Sequence, residues 1–225
     1  MLFQQNSTTV RSRESILATN SVIRNTYLLL SLTLMFSAAI AALAMVTNAS
    51  SPGLLITLAG MFGLSFLTQS LRNSPWGLVA IFAFTGFMGY ILGPTLNMYL
   101  KTYLNGSQLI MSALGGTGVI FLGLSAYALT TRKDFSYLGG FLFIAAMVAF
   151  LASIGGLLFN LPLLQLVISA AFVLISSGYI LFTTSQIVNG GERNYIMATI
   201  MLYVAIFNIF VSLLNILAAF GGNRR

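Results

Sequence analysis

Seven long apolar runs alternate with short polar breaks along this chain. The runs are Tyr27–Thr47, Gly53–Leu71, Trp76–Leu100, Leu109–Thr130, Tyr137–Phe159, Leu163–Val188 and Tyr195–Phe220, and none contains Lys, Arg, Asp or Glu. A helix crossing a hydrocarbon layer about 30 Å thick needs about 20 apolar residues, because each residue rises about 1.5 Å. The pattern therefore predicts an all-α fold, a polytopic bundle of seven transmembrane helices. The breaks, such as Asn48 to Pro52, Arg72 to Pro75 and Asn160 to Pro162, read as tight turns. The expected organisation is a polar N-terminal tail at 1–26, a membrane domain at 27–220 and a short C-terminal tail at 221–225. The first run follows Arg24 and exceeds the usual 7–15-residue core of a signal peptide, so it is expected to stay as a span. The tail is polar and without helical periodicity. The glycine pairs Gly115-Gly116, Gly139-Gly140 and Gly155-Gly156 recur too irregularly to define a repeat.

Composition strengthens this reading. Of 225 residues, 58% are hydrophobic and 6% charged, against about 25% charged in soluble domains. Orientation follows from Lys and Arg near the helix ends. With the N-terminus inside, Arg11, Arg13, Arg24, Arg72, Arg132, Lys133 and Arg193 fall on the cytoplasmic side, and Lys101, Arg224 and Arg225 on the other. That distribution predicts a cytoplasmic N-terminus and an external C-terminus. It also explains the net charge of +7 without nucleic acid.

The chain contains no His and no Cys. Disulfides, thiolate or imidazole metal sites and Ser-His-Asp catalysis are thereby excluded. The acids are Glu14, Asp134 and Glu192, so an intramembrane aspartyl pair is excluded as well. A Ser-Lys dyad would need a buried lysine, whereas Lys101 and Lys133 sit at run ends. The expectation is a protein without catalysis, cofactor or metal.

Small and polar positions then distinguish the helices, since lipid is as apolar as leucine and cannot drive them together. Gly86, Gly89 and Gly93 share one face of the third run, and Ser37, Ala38, Ala41 and Ala42 form a small-residue patch on the first. These predict close backbone approach, with a glycine-lined pore as the alternative. Pro94 predicts a break, a kink or a helix end nearby. Ser176, Tyr179, Thr183 and Gln186 form a polar stripe on the sixth run, and Asn208, Ser212 and Asn215 continue one through Ala205 on the seventh. Such groups are costly in hydrocarbon unless paired. They mark a polar interior of the last two helices, read either as interhelical hydrogen bonding or as a polar pathway.

Four segments carry a resemblance: Gly89-Tyr-Ile-Leu-Gly-Pro-Thr-Leu-Asn97, Thr130-Thr-Arg-Lys-Asp-Phe-Ser-Tyr-Leu-Gly-Gly140, Ile175-Ser-Ser-Gly-Tyr-Ile-Leu-Phe182 and Leu202-Tyr-Val-Ala-Ile-Phe-Asn-Ile-Phe-Val-Ser-Leu-Leu214. With them the chain, from about Arg24 onward, resembles the bacterial Bax inhibitor-1 family. The resemblance implies a seven-helix bundle with its last helix near the centre, in a bacterial inner membrane. In the nearest branch it further implies association with the FtsH membrane protease, which such members restrain, and a cytoplasmic tail by which the protease takes hold. Members implicated in pH-dependent calcium leak carry two membrane aspartates, and the matching positions here are Thr183 and Ala205. Neither ionises, so the acidic pH sensor and its calcium site do not transfer. A cation leak or exchanger stays as the alternative to a protease regulator. Arg132, Lys133 and Asp134 lie in a family-like turn, where they fix topology or meet a partner or anionic lipid.

Overall fold

The computed structural model describes the backbone of residues 2–223 and the side chains of residues 19–223. Seven helices account for nearly all of it: α1 Leu2–Val46, α2 Leu54–Ser70, α3 Trp76–Thr102, α4 Gly106–Thr131, α5 Leu138–Leu158, α6 Pro162–Val188 and α7 Tyr195–Gly221. Six are long and apolar enough to cross a membrane. The 17-residue α2 is also apolar, and its rise of about 26 Å makes it the shortest.

Most helix ends fall within two or three residues of those expected. α1 is the exception, because it begins at Leu2 instead of near Tyr27. The segment expected to lack helical structure therefore continues the first span without a break. Once a helix is nucleated, each added residue brings its own hydrogen bond. Side chains before residue 19 lie outside the described residues.

Pro94 neither breaks nor ends its helix. It sits inside α3, which runs on for two more turns to Thr102. Proline removes one rung of the ladder, but the helix beyond it is fastened sideways. Asn97 Nδ2 donates to the Met45 carbonyl of α1 at 2.9 Å. Neighbouring helices commonly support proline within membrane helices in this way.

α7 is the hub. It packs against α1, α2, α3, α4 and α6, whereas α5 touches only α6 over any length of backbone. Its buried face carries Leu202, Tyr203, Ile209 and Leu214, all at 1% exposure or less. The outer faces of α2, α4 and α5 present residues such as Leu55, Phe66, Val119 and Phe141, as expected where the surrounding solvent is hydrocarbon.

The closest packing joins α1 and α3. A Cβ at Gly93 would lie 2.5 Å from the Ala44 Cβ and 2.9 Å from the Ala41 carbonyl, and one at Gly89 would strike the Ser37 carbonyl. The close backbone approach expected at the glycine face of α3 is therefore made with Ser37 and Ala41 of α1. Ala38 and Ala42 instead border an opening toward α4.

The connections are tied at both ends. Asn194 caps α7 by accepting from the Ile196 and Met197 amides, and its Nδ2 donates to the Arg72 carbonyl at 2.9 Å. Ser185 Oγ donates to the Lys133 carbonyl at 3.0 Å and accepts from the Phe135 amide at 2.9 Å. These bonds bring Arg72, Arg132, Lys133 and Arg193 to one end of the bundle. Lys101 lies at the other, 3.2 Å from Asn48 Oδ1.

Candidate functional site

The predicted polar stripes do not form one zipper. They divide among three places along the α6–α7 contact. In the first, Ser176 and Tyr179 of α6 meet Ala205 and Asn208 of α7 around a cleft of about 270 Å³. Ser65 and Gln69 of α2 complete its polar lining, and Phe172, Ile175, Ile200 and Val204 supply apolar walls. Ser176, Tyr179 and Asn208 make no hydrogen bond among the described residues, although Ser176 is only 2% exposed. All three residues line the cleft.

The second place lies toward the Arg72 end. Gln186 leaves the stripe and donates to Ser136 Oγ at 2.5 Å. Ser136 in turn gives both its hydroxyl and its backbone amide to Asp134, the amide at 2.8 Å. These two bonds hold the Asp134 carboxyl below the usual carboxylate range. Thr183, one turn above Gln186, is 1% exposed, and its hydroxyl has no partner among the described residues. Thr26 and Ser125 have similarly unpartnered hydroxyls. Thr184, next along α6, lies 3.4 Å from the Tyr27 hydroxyl of α1.

The third place lies toward the opposite end. Asn215 accepts from the Tyr99 hydroxyl of α3, and its Nδ2 donates to Ser169 Oγ of α6 at 3.5 Å. Ser212 is buried at 5% exposure. Neither Ser212 nor Asn215 reaches the cleft.

Two cleft residues, Ser65 and Gln69, were not singled out from sequence. Their spacing of four on an apolar helix was the available signal. The two positions matching the family aspartates differ in their place at the cleft. Ala205 lines the cleft and Thr183 does not. The cleft is therefore neutral: it offers amides and hydroxyls for hydrogen bonding and holds no carboxylate or imidazole for proton transfer. Among the described residues no group of three or more acids gathers to hold a metal.

Comparison with known proteins now decides the family. The chain matches the family described as "Inhibitor of apoptosis-promoting Bax1" over residues 19–222. It belongs to that family. It is 55% identical over 205 residues to the protein named "Modulator of FtsH protease YccA" of Escherichia coli K12, covering 91% of this chain and 93% of that one. Identity and coverage are the same for the "Inner membrane protein YccA" of E. coli O6:H1. An uncharacterised protein of Pseudomonas aeruginosa PAO1 is 52% identical over 221 residues, 98% of this chain and 97% of its own. Within this family the chain is a seven-helix membrane protein whose last helix forms the packing centre.

Proposed function

We propose that this protein is a non-enzymatic regulator of the bacterial inner membrane that binds the FtsH protease complex and restrains it. The observation that carries this reading is the 55% identity to a named FtsH modulator across 91% of the chain. The chemistry agrees: the chain has no His or Cys, and the cleft between α2, α6 and α7 is lined by neutral groups. A protein of this kind acts by touching neighbours.

The proposed orientation places the N-terminus in the cytoplasm and the C-terminus in the periplasm. Arg24, Arg72, Arg132, Lys133 and Arg193 support it by gathering at one end, as loops retained on the cytoplasmic side do. In this orientation the N-terminal part of α1 reaches the side on which a cytoplasmic protease domain would engage it. Restraint arises by occupancy: the bundle engages the protease and resists extraction, so other membrane substrates wait. Of the polar interior, Gln186 and Asn215 fasten α6 and α7 to their neighbours, while Ser176, Tyr179, Thr183, Asn208 and Ser212 make no such bond among the described residues.

Ion leak is the weaker reading, since Thr183 and Ala205 stand where the resemblance puts the acidic pair. Affinity isolation of the full chain from membranes containing a proteolytically inactive FtsH tests the proposal. Co-isolation of the two is expected. Their separation under every mild detergent, with active and inactive protease alike, would overturn it.

A further inference from the structure

α1 is fastened along its whole transmembrane length. From Thr26 to Asn48 the chain rises about 33 Å, the depth of a hydrocarbon core. At the start of that stretch Thr199 Oγ1 of α7 donates to the Thr26 carbonyl at 3.3 Å. Midway, Ser37 Oγ lies 2.6 Å from the Tyr203 hydroxyl. At the far end Asn97 Nδ2 donates to the Met45 carbonyl at 2.9 Å, and Lys101 Nζ to Asn48 Oδ1 at 3.2 Å. These bonds run sideways from α1, so a pull along its axis loads them together.

Between the bonds α1 is seated against α3 with no slack. Ala41 and Ala44 are 3% and 4% exposed. A Cβ at Gly93 would lie 2.5 Å from the Ala44 Cβ and 2.9 Å from the Ala41 carbonyl. The seam has no room for one more methyl group. A slip of one turn, about 5.4 Å, toward the N-terminus brings each residue's i+4 neighbour into its place. Ser37 gives way to Ala41, which is small. Ala41 gives way to Met45, and Ala44 to Asn48. Both replacements are larger than the alanines they displace, and they arrive where α3 has only Gly93 to yield.

The position of this seam in the chain matters. The breaks between helices are short, and α1 is continuous from Leu2. The part of α1 before Thr26 is therefore the long end by which a pulling partner could grip the N-terminal side, and force applied there reaches the seam first. We infer that α1 is a mechanical stop, in which Met45 jams against the Gly93 seam and blocks extraction of the chain by its N-terminal segment. This rests on the restraint proposed above and adds where the resistance lies.

The test pulls the full-length protein from a lipid bilayer by its N-terminus at constant force, with no protease present. A long-lived resistance before α1 leaves is expected. Met45→Ala removes the stop but keeps the glycine contacts, and Gly89→Ala loosens the seam itself. Each shortens the lifetime under load by about tenfold. Met45→Leu keeps it near the wild-type value. Gly178→Ala, which crowds Leu142 at the α5–α6 contact, leaves it unchanged. Prompt release of α1 in the wild type overturns the inference, and so does a Met45→Ala lifetime equal to that of Met45→Leu. Because the load measurement contains no protease, it judges the stop by itself. In vesicles with FtsH, Met45→Ala should then be degraded faster than wild type. Equal degradation despite unequal lifetimes contradicts the restraint reading and leaves the stop standing.

Discussion

The Tyr203 hydroxyl at the centre of α7 lies 2.6 Å from Ser37 Oγ on α1, and the Thr85 carbonyl of α3 is 3.4 Å away. One side chain thus joins three helices. Its ring packs edge-on against Phe84 with centroids 5.9 Å apart. Tyr203→Phe removes the bond but keeps the ring, leaving Ser37 without its partner. Interhelical bonds in membranes contribute about 0.6 kcal/mol on average, and an orphaned buried group adds up to a few kcal/mol. We expect Tyr203→Phe and Ser37→Ala each to lower stability by about 1 kcal/mol, with the double variant costing less than their sum. Unfolding in mixed micelles, analysed as a double-mutant cycle, measures the coupling.

Glycines of the same type should respond in opposite directions. At Gly89 an added methyl meets the Ser37 backbone, whereas at Gly115 it meets nothing within 4 Å. Gly89→Ala forces α1 and α3 apart, and overpacking of this kind costs about 1–3 kcal/mol. Gly115→Ala gains helix propensity of up to about 1 kcal/mol. Thermal unfolding in one detergent, with both variants side by side, checks the difference in sign.

Thr183 offers a test of burial without partnership. Its hydroxyl is buried and unbonded, so Thr183→Val removes a desolvated polar atom while keeping the shape. The expected result is unchanged or higher stability, by up to about 1–2 kcal/mol. Thr184→Val removes the contact with the Tyr27 hydroxyl and should destabilise. A marked loss at Thr183 would show that its hydroxyl has a partner after all.

At the cytoplasmic end proposed here, Asn194 fastens two loops. It caps α7 and also donates to the Arg72 carbonyl and to Asn73 Oδ1, both at 2.9 Å. Asn194→Ala should cost about 1–2 kcal/mol through the lost cap. Asn194→Asp keeps the cap acceptor, loses the donor and should fall between. Proteolysis rates at the α2–α3 loop read out the second function.

The Asp134 carboxyl is held low by Ser136. A lowered carboxyl pKa stabilises the fold at pH above its unfolded value, and that contribution disappears as pH falls through the lowered value. The Asp134–Ser136–Gln186 chain of bonds should therefore persist through neutral pH and open only in acid. The Ser136 amide resonance, followed by NMR, should titrate below the ordinary carboxylate range. A midpoint at or above that range contradicts the arrangement.

Much of this architecture is legible in the residue pattern, for a reason particular to lipid. Polar residues are rare in such helices, so each one that appears stands out. Gly89 and Gly93 on α3, and Ser37 and Ala41 on α1, each marked a face of close approach, because only small residues allow that distance, but that the two faces meet each other came from the structure. Which polar groups meet was harder to read. Periodicity places Thr183, Gln186 and Asn215 on faces, yet their partners depend on how far each neighbouring helix is rotated and shifted. Thus Gln186 turned to a loop residue, Asn215 found Tyr99, and Ser65 and Gln69 joined the cleft from a helix with no stripe of its own. Pro94 does not end α3, which continues to Thr102 and is fastened beyond the proline by the bond from Asn97 to α1. At Thr183 and Ala205 the side chains alone were informative, since neither can carry the charge that a proton-gated site requires.

Restraint of FtsH by contact is the function proposed for this protein. The most direct measurement is the rate at which purified FtsH, reconstituted in vesicles with ATP, degrades another membrane protein as this chain is added. A dose-dependent slowing with no chemical change to the substrate is predicted. An unchanged rate when the chain is present in large excess over the protease would contradict the account.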